Sequence, residues 1–393
     1  MRFPERFSNL PEYAFPRLRA LLAGHVPGGP EISMSIGEPR HPMPAFVGEV
    51  LASHLEGFAK YPPNDGNDGL RSAITGWLNR RYGVNKDPAT DILVLNGTRE
   101  GLFNACIALC PERKNGRPPK VLIPNPFYQV YAVAAAAVGA EPVFIPSPRE
   151  DGFLPDFGKL PDDILNDTAI VYLCSPSNPQ GAIASRGYWR NLLDLAEKHD
   201  FIIFADECYS EIYRDTPPPG VLEVARETGA DPERVVAFHS LSKRSNLPGL
   251  RSGFAASGPR NIAEMKRLRA YAGAPLPLPL QEVAARAWAD ETHVRENRAL
   301  YRRKYEIADR LFHDMPHYTP PQAGFFLWLD VGDGEATTLK LWRETGVKVL
   351  PGAYLGREVA DENPGQKYIR VAMVAKENEM QRGLEMIRDC INQ

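Results

Sequence analysis

One lysine, Lys243, sits in the stretch SLSKRSNLPGLRSGF (residues 240–254), among Ser240, Ser242 and Arg251, in a turn closed by Pro248 and Gly249. A lone lysine near a strand end is ordinarily a solvated charge. Here it follows the apolar run RVVAFHS (234–240), and its neighbours are hydroxyls and a guanidinium, groups that hold phosphate. Four more polar clusters stand in the same relation to apolar runs. NGTRE (96–100) follows DILVL, NPFYQVY (125–131) follows KVLIP, SPSNPQG (175–181) ends AIVYLCS, and DECYSEIY (206–213) ends FIIFADE. Gly97, Thr98 and Arg99 open a helical pattern, where free backbone N–H groups and the positive dipole end suit a phosphate. Asp206 ends an apolar strand, where a carboxylate needs a cationic or hydrogen-bonding partner such as a protonated ring nitrogen. Tyr209 and Asn178 are donors suited to a phenolate oxygen, and Tyr128 offers a ring face for stacking. Together these residues suit an anionic, aromatic ligand held beside a reactive amine.

The elements that must position them are short continuous apolar runs separated by helical patterns. That alternation predicts an α/β fold with a mostly parallel sheet buried on both faces. Sheets of this kind bind ligands in the loops beyond the carboxyl ends of their strands. All five clusters belong at that edge. Past the Pro-rich AGAPLPLPLQ (272–281), two helical stretches are expected, then a long charged helix over 293–315. GFFLWLD (324–330), a helix near 336–345, KYIRVAM (367–373) and a terminal helix complete the chain. This predicts a large domain over 46–290, and a smaller α+β domain built from 1–45 together with 291–393.

Composition sets bounds. The 393 residues are 43% hydrophobic and 24% charged, ordinary for a soluble globular protein. A net charge of −3 argues against general nucleic-acid binding. No apolar run reaches membrane-spanning length, and the N-terminus lacks a signal-peptide pattern, so a cytoplasmic chain is expected. The odd count of five cysteines agrees with a reducing compartment. Cys106 and Cys110 lie one helical turn apart and read as buried thiols. No HExxH, CxxC, Walker A or GxGxxG pattern occurs, and no metal site is expected.

In their order along nearly the whole chain, these motifs resemble those of the fold-type I pyridoxal-phosphate (PLP) aminotransferases. The resemblance implies that Lys243 forms a Schiff base with PLP, and that Asp206 pairs with the pyridine nitrogen. Tyr209 and Asn178 would contact the ring hydroxyl, and Tyr128 would stack on the ring. Gly97, Thr98, Arg99, Ser240, Ser242 and Arg251 would surround the phosphate. Arg370 in YIRVAM matches the arginine that grips the substrate α-carboxylate, with the Gly37 backbone of SIGEP and Asn178 nearby. Tyr61 matches a tyrosine that reaches the cofactor phosphate of a partner subunit, which implies a homodimer. Two departures are small: Gln129 stands where the stacking motif usually has a second proline, and Gln180 where SNPTG is usual.

The subfamily most resembled, on DECYSEIY, SLSKRSNLPGLRSGF, NGTREGLF and YAFPRLRALLAG, is that of the bacterial N-succinyl-diaminopimelate aminotransferases of lysine biosynthesis. Their reaction moves an amino group between glutamate and a succinylated keto acid. A distant carboxylate on the substrate needs a second anchor, for which Arg40, Arg244 and Arg269 are candidates. The alternatives are an aspartate, acetylornithine or broad-range aminotransferase, a PLP-dependent C–S lyase, and a ligand-sensing module.

Overall fold

The computed structural model describes residues 5–392, apart from residues 9 and 11. Twelve strands are present among them: β1 (Ile32–Ser33), β2 (Ile92–Leu95), β3 (Lys120–Asn125), β4 (Glu141–Pro146), β5 (Thr168–Cys174), β6 (Ile202–Asp206), β7 (Val235–Ser240), β8 (Gly253–Ala256), β9 (Phe326–Asp330), β10 (Val347–Lys348), β11 (Leu350–Pro351) and β12 (Tyr368–Ala372).

Seven of them form the main sheet, in the order β2-β8-β7-β6-β5-β3-β4. Only β8 runs antiparallel to its neighbours, so the others point the same way. Every residue of β2, β5, β7 and β8 is buried, which is why these segments read as continuous apolar runs rather than alternating ones. The strand period of two still divides their side chains. Val94, Val171, Ile203 and Ala237 enter the core on one face, while Leu93, Ile170, Phe204 and Val236 enter that on the other. Each large apolar side chain so buried contributes roughly 1.5–3 kcal/mol.

A three-stranded antiparallel sheet, β11-β12-β9, sets Arg370 opposite both Leu350 and Trp328. The N-terminal segment is threaded beside it. β1 pairs in parallel with β10, and the Met34 carbonyl accepts from Ala372 N at 2.7 Å. Ile32 and Met34 therefore share a buried cluster with Tyr301, Phe325, Val371 and Leu384.

The Pro-Leu segment differs from expectation. A single helix, Leu278–Ala289, precedes the long helix Thr292–Phe312, and it begins inside the proline run. Pro279 lies in its first turn, where the missing N–H has no intrahelical partner to lose. Among the described residues no helix is long and apolar enough to cross a membrane, and no group of three or more His, Cys, Asp and Glu could hold a metal ion.

Candidate active site

Because β2, β3, β5, β6 and β7 are co-directional, the loops after them converge at one edge of the sheet. A cavity of about 440 Å³ opens there, within the size range of small-molecule sites. Of the residues singled out from sequence, its walls carry Gly37, Thr98, Arg99, Tyr128, Asn178, Asp206, Tyr209, Ser240, Ser242, Lys243, Arg251 and Arg370.

Lys243 lies on a one-turn helix, Leu241–Arg244, directly after β7. Its Nζ donates to the Gly37 carbonyl and lies 5.3 Å from the Phe325 ring centre. Burial pushes its pKa down to about 8, and the nearby Arg370 and Arg251 push the same way, against Cys208 and Glu38. Gly37 is required at its position, since a Cβ there would meet a Phe326 ring carbon at 2.5 Å.

At one end of the cavity, hydroxyls and donors gather. Ser240 Oγ donates to Ser242 Oγ at 2.9 Å, and both side chains are buried. The helix Thr98–Leu109 starts here with no side chain capping its first N–H groups, which leaves them for an anion. Gly97, the residue before it, has φ +82° and ψ +159°, a conformation open almost only to glycine. A Cβ on it would stand 2.3 Å from Arg251 Nη2. Arg251 is itself held, donating to the Pro248 carbonyl at 2.9 Å and the Asn96 carbonyl at 3.2 Å.

Asp206 ends β6, buried, with burial raising its pKa and hydrogen bonds opposing the rise. Tyr131 Oη donates to Oδ2 at 2.8 Å and Cys208 N to Oδ1 at 3.3 Å. Tyr131 is a site residue that sequence reasoning passed over in favour of Tyr128. Its signal was its place three residues on, one helical turn away. Tyr128 itself accepts from Arg99 Nε at 2.8 Å, which turns the Arg99 side chain toward the mouth. Tyr209 is buried edge-on to Phe325, at 5.3 Å between ring centres.

Arg370 is fully desolvated, which lowers its pKa to about 10, so it stays charged near neutrality. Its Nη1 donates to Asn178 Oδ1 at 3.0 Å and its Nη2 to the Ser35 carbonyl at 2.8 Å. Its Nε is buried with no protein partner. Gln129, the departure from the proline of the motif, donates to the Glu12 carbonyl at 2.8 Å. A proline could not, and the bond ties the N-terminal segment carrying Tyr13 to the cavity wall.

Other expected residues lie elsewhere. Tyr61 is fully exposed, outside the cavity. Two candidate distal anchors are corrected. Arg244 is buried and committed to Glu291 Oε1 at 2.7 Å and the Ala287 carbonyl at 2.8 Å. Arg269 is buried on Glu100 and the Asn64 carbonyl. Arg40 is exposed, pairs with Glu379 at 3.4 Å, and does not line the cavity.

A family profile described as aminotransferase class I and II matches residues 30–387. The chain belongs to the class I and II aminotransferases. It is 31% identical to an LL-diaminopimelate aminotransferase of Dehalococcoides mccartyi, over 98% of this aminotransferase and 97% of that one. It is 30% identical to one of the same name from Nitratidesulfovibrio vulgaris, over 98% of each. A crystal structure of an aminotransferase from Neisseria meningitidis superposes with a TM-score of 0.93 at 36% identity, covering 98% and 99% of the two chains. A probable N-succinyldiaminopimelate aminotransferase from Thermus thermophilus gives 0.83 at 25%, covering 96% and 100%.

Aminotransferases of this family are PLP-dependent and act on amino acids and keto acids. The donor set fits that cofactor. One end of the cavity offers hydroxyls, a guanidinium and a helix N-terminus for a phosphate. The same cavity offers a buried carboxylate for a cationic ring nitrogen and an amine that burial holds partly unprotonated.

Proposed function

We propose that this aminotransferase moves an amino group between N-succinyl-LL-2,6-diaminopimelate and 2-oxoglutarate, in diaminopimelate and lysine biosynthesis, as a homodimer. The observation that carries the reading is one cavity in which Lys243 stands among three arginines with separate duties. Bound PLP supplies an aldehyde carbon that receives the amino group and a ring that stabilises negative charge at the substrate Cα.

The chain supplies the rest. Thr98, Ser240, Ser242, Arg251 and the N–H groups after Gly97 hold the phosphate. Asp206 keeps a proton on the ring nitrogen, and Tyr131 holds the carboxylate in place. Asn178 and Tyr209 face the ring hydroxyl, and Tyr128 covers the ring. Lys243 Nζ would be the base that takes and holds the substrate Cα proton, work that a pKa of about 8 permits near neutrality. Arg370, a buried guanidinium on the cavity wall, grips the α-carboxylate. The two half-reactions share this one site, so ping-pong kinetics are expected.

The third arginine bears on substrate choice. Arg99 is exposed at the mouth, bonded through Nε to Tyr128. With Arg244 and Arg269 committed elsewhere, it is the candidate for a distal carboxylate, in place of the phosphate contact that its motif implied. The N-succinyl reading also draws on the motifs of that subfamily and on the name of the Thermus thermophilus neighbour. A second reading, free LL-diaminopimelate, is favoured by Glu38 at the same mouth, which suits a distal ammonium, and by the names of the curated relatives.

For the homodimer, the support is a run of exposed apolar side chains, Leu55, Phe58 and Tyr61, ending in the tyrosine expected to cross over. We likewise take 46–290 as the large PLP-binding domain, and 1–45 with 291–393 as the small domain. The pairing of β1 with β10 supports joining those two segments. The deciding experiment compares kcat/KM for N-succinyl-LL-diaminopimelate, LL-diaminopimelate and aspartate with 2-oxoglutarate. The succinylated substrate should lead. A preference for the free diamino acid selects the second reading, and a preference for aspartate rejects both.

A further inference from the structure

The helix that carries Lys243 has four residues and one closing bond of its own, Ser245 N to the Leu241 carbonyl at 3.0 Å. So short a helix cannot fix a side chain by itself, and its last carbonyls need outside donors. One buried residue supplies them. Asn297, on the long helix Thr292–Phe312, donates through Nδ2 to the carbonyls of both Lys243 and Arg244, each at 3.3 Å.

Asn297 is held in turn. Its Oδ1 lies 2.9 Å from His41 Nδ1 and 3.1 Å from Asn246 Nδ2. His41 Nε2 lies 2.7 Å from Lys304 Nζ, which also donates to the Met373 carbonyl at 3.0 Å. These bonds fix the direction of every proton. Asn297 Nδ2 is spent on the two carbonyls, so its Oδ1 accepts and His41 Nδ1 carries the hydrogen; Nε2 then accepts from Lys304, which burial pushes down to about 7 but which has a hydrogen to donate in either form. Burial and Lys304 push His41 down to about 4, so it is neutral, as that tautomer requires. The chain of donors therefore runs one way, from Lys304 through His41 and Asn297 to the turn of Lys243. Lys304, where it starts, is itself anchored on the carbonyl of Met373, just past the strand that bears Arg370.

We propose that Asn297, with His41 and Lys304 behind it, is a positioning relay that sets Lys243 relative to the Arg370 strand. None of the three touches the cavity, so they act through Lys243 and not on the substrate. A neighbouring set, Ser245, His293 and Asp290, has the bonding order of a hydrolytic triad, with contacts of 2.8 and 2.5 Å. Ser245 is fully buried, however, so this set only braces the same turn.

The proposal rests on Lys243 being the residue that engages PLP. The test uses full-length protein bearing Asn297→Leu, His41→Asn or His41→Gln, with Lys243→Ala as control. Three readouts apply: the rate at which cofactor-free protein takes up PLP, the pH midpoint of the visible absorbance of the loaded protein, and kcat against KM. Asn297→Leu should shift the midpoint, slow uptake, and lower kcat by about 10- to 100-fold, the scale expected from misplacing a reacting group by about 1 Å, with KM little changed. His41→Asn keeps a donor where Nδ1 stood, so it should restore most of what His41→Gln loses.

A wild-type midpoint and kcat in folded Asn297→Leu would overturn the relay. So would a His41→Asn no better than His41→Gln, a comparison that decides the matter if Asn297→Leu fails to fold. If Lys243→Ala still forms the visible band, the assignment of Lys243 falls first, and the relay with it.

Discussion

Tyr131 Oη donates to Asp206 Oδ2 at 2.8 Å inside a fully buried site, while its ring stacks on Tyr172 at 4.5 Å and 12°. The stack fixes the ring, so the hydroxyl reaches the carboxylate at no further cost in side-chain freedom. The hydrogen bond opposes the upward push of burial on Asp206. It therefore favours the charged carboxylate that a cationic ring nitrogen needs.

Tyr131→Phe keeps the stack and removes only that bond. Hydrogen bonds to charged groups are worth about 1.5–3 kcal/mol. The variant should unfold more easily by that order, and kcat should drop by about tenfold or more. Denaturant melts and steady-state rates of the same preparation would check both. Unchanged values would mean that Cys208 N alone suffices to hold Asp206.

Lys243 gives a pH prediction with a definite sign. An amine attacks an aldehyde only when unprotonated, and this one sits at about 8. PLP uptake by the cofactor-free protein should rise about tenfold per pH unit below that value and flatten above it. Stopped-flow absorbance would follow it. Continued rise toward the pKa of an exposed lysine would show Lys243 to be solvated. Lys243→Ala should abolish both the visible band and turnover.

Gly97→Ala tests the phosphate end. The backbone conformation there costs a side chain about 1–3 kcal/mol, and the added methyl meets Arg251. PLP should dissociate faster from the variant, measured by dialysis and by the loss of absorbance. Wild-type retention would remove Arg251 from the phosphate site.

Arg370→Lys keeps the charge but loses the planar fork. KM for every amino-acid substrate should rise, by about 10-fold or more if one charged hydrogen bond is lost. Arg99→Ala should instead raise KM for substrates with a distal carboxylate and leave alanine unaffected. Equal effects on both classes would take Arg99 out of substrate selection.

A dimer with a crossing Tyr61 is testable by complementation. Tyr61→Phe and Lys243→Ala, each impaired alone, should recover activity when mixed and reassembled, because one site of each hybrid dimer then holds both native residues. No recovery in a demonstrated hybrid would confine the site to one chain.

Much of this site could be read from the sequence because it is local. Each functional loop directly follows a buried strand, and strands buried on both faces announce themselves as continuous apolar runs. Lys243, Asp206, Asn178, Thr98 and Tyr128 come together simply because five such strands run the same way. Residues whose places depend on contacts distant in the chain were not legible. Arg244 and Arg269 looked like anchors until packing enclosed them against Glu291 and Glu100. Tyr131 and Tyr128 share one motif, and only the position of β6 decides which of them meets Asp206. Asn297 and His41 reach the turn of Lys243 from more than 50 and 200 residues away. Spacing encodes which groups leave the same strand edge; which polar groups lose water and must find a partner is settled only when the helices close over them.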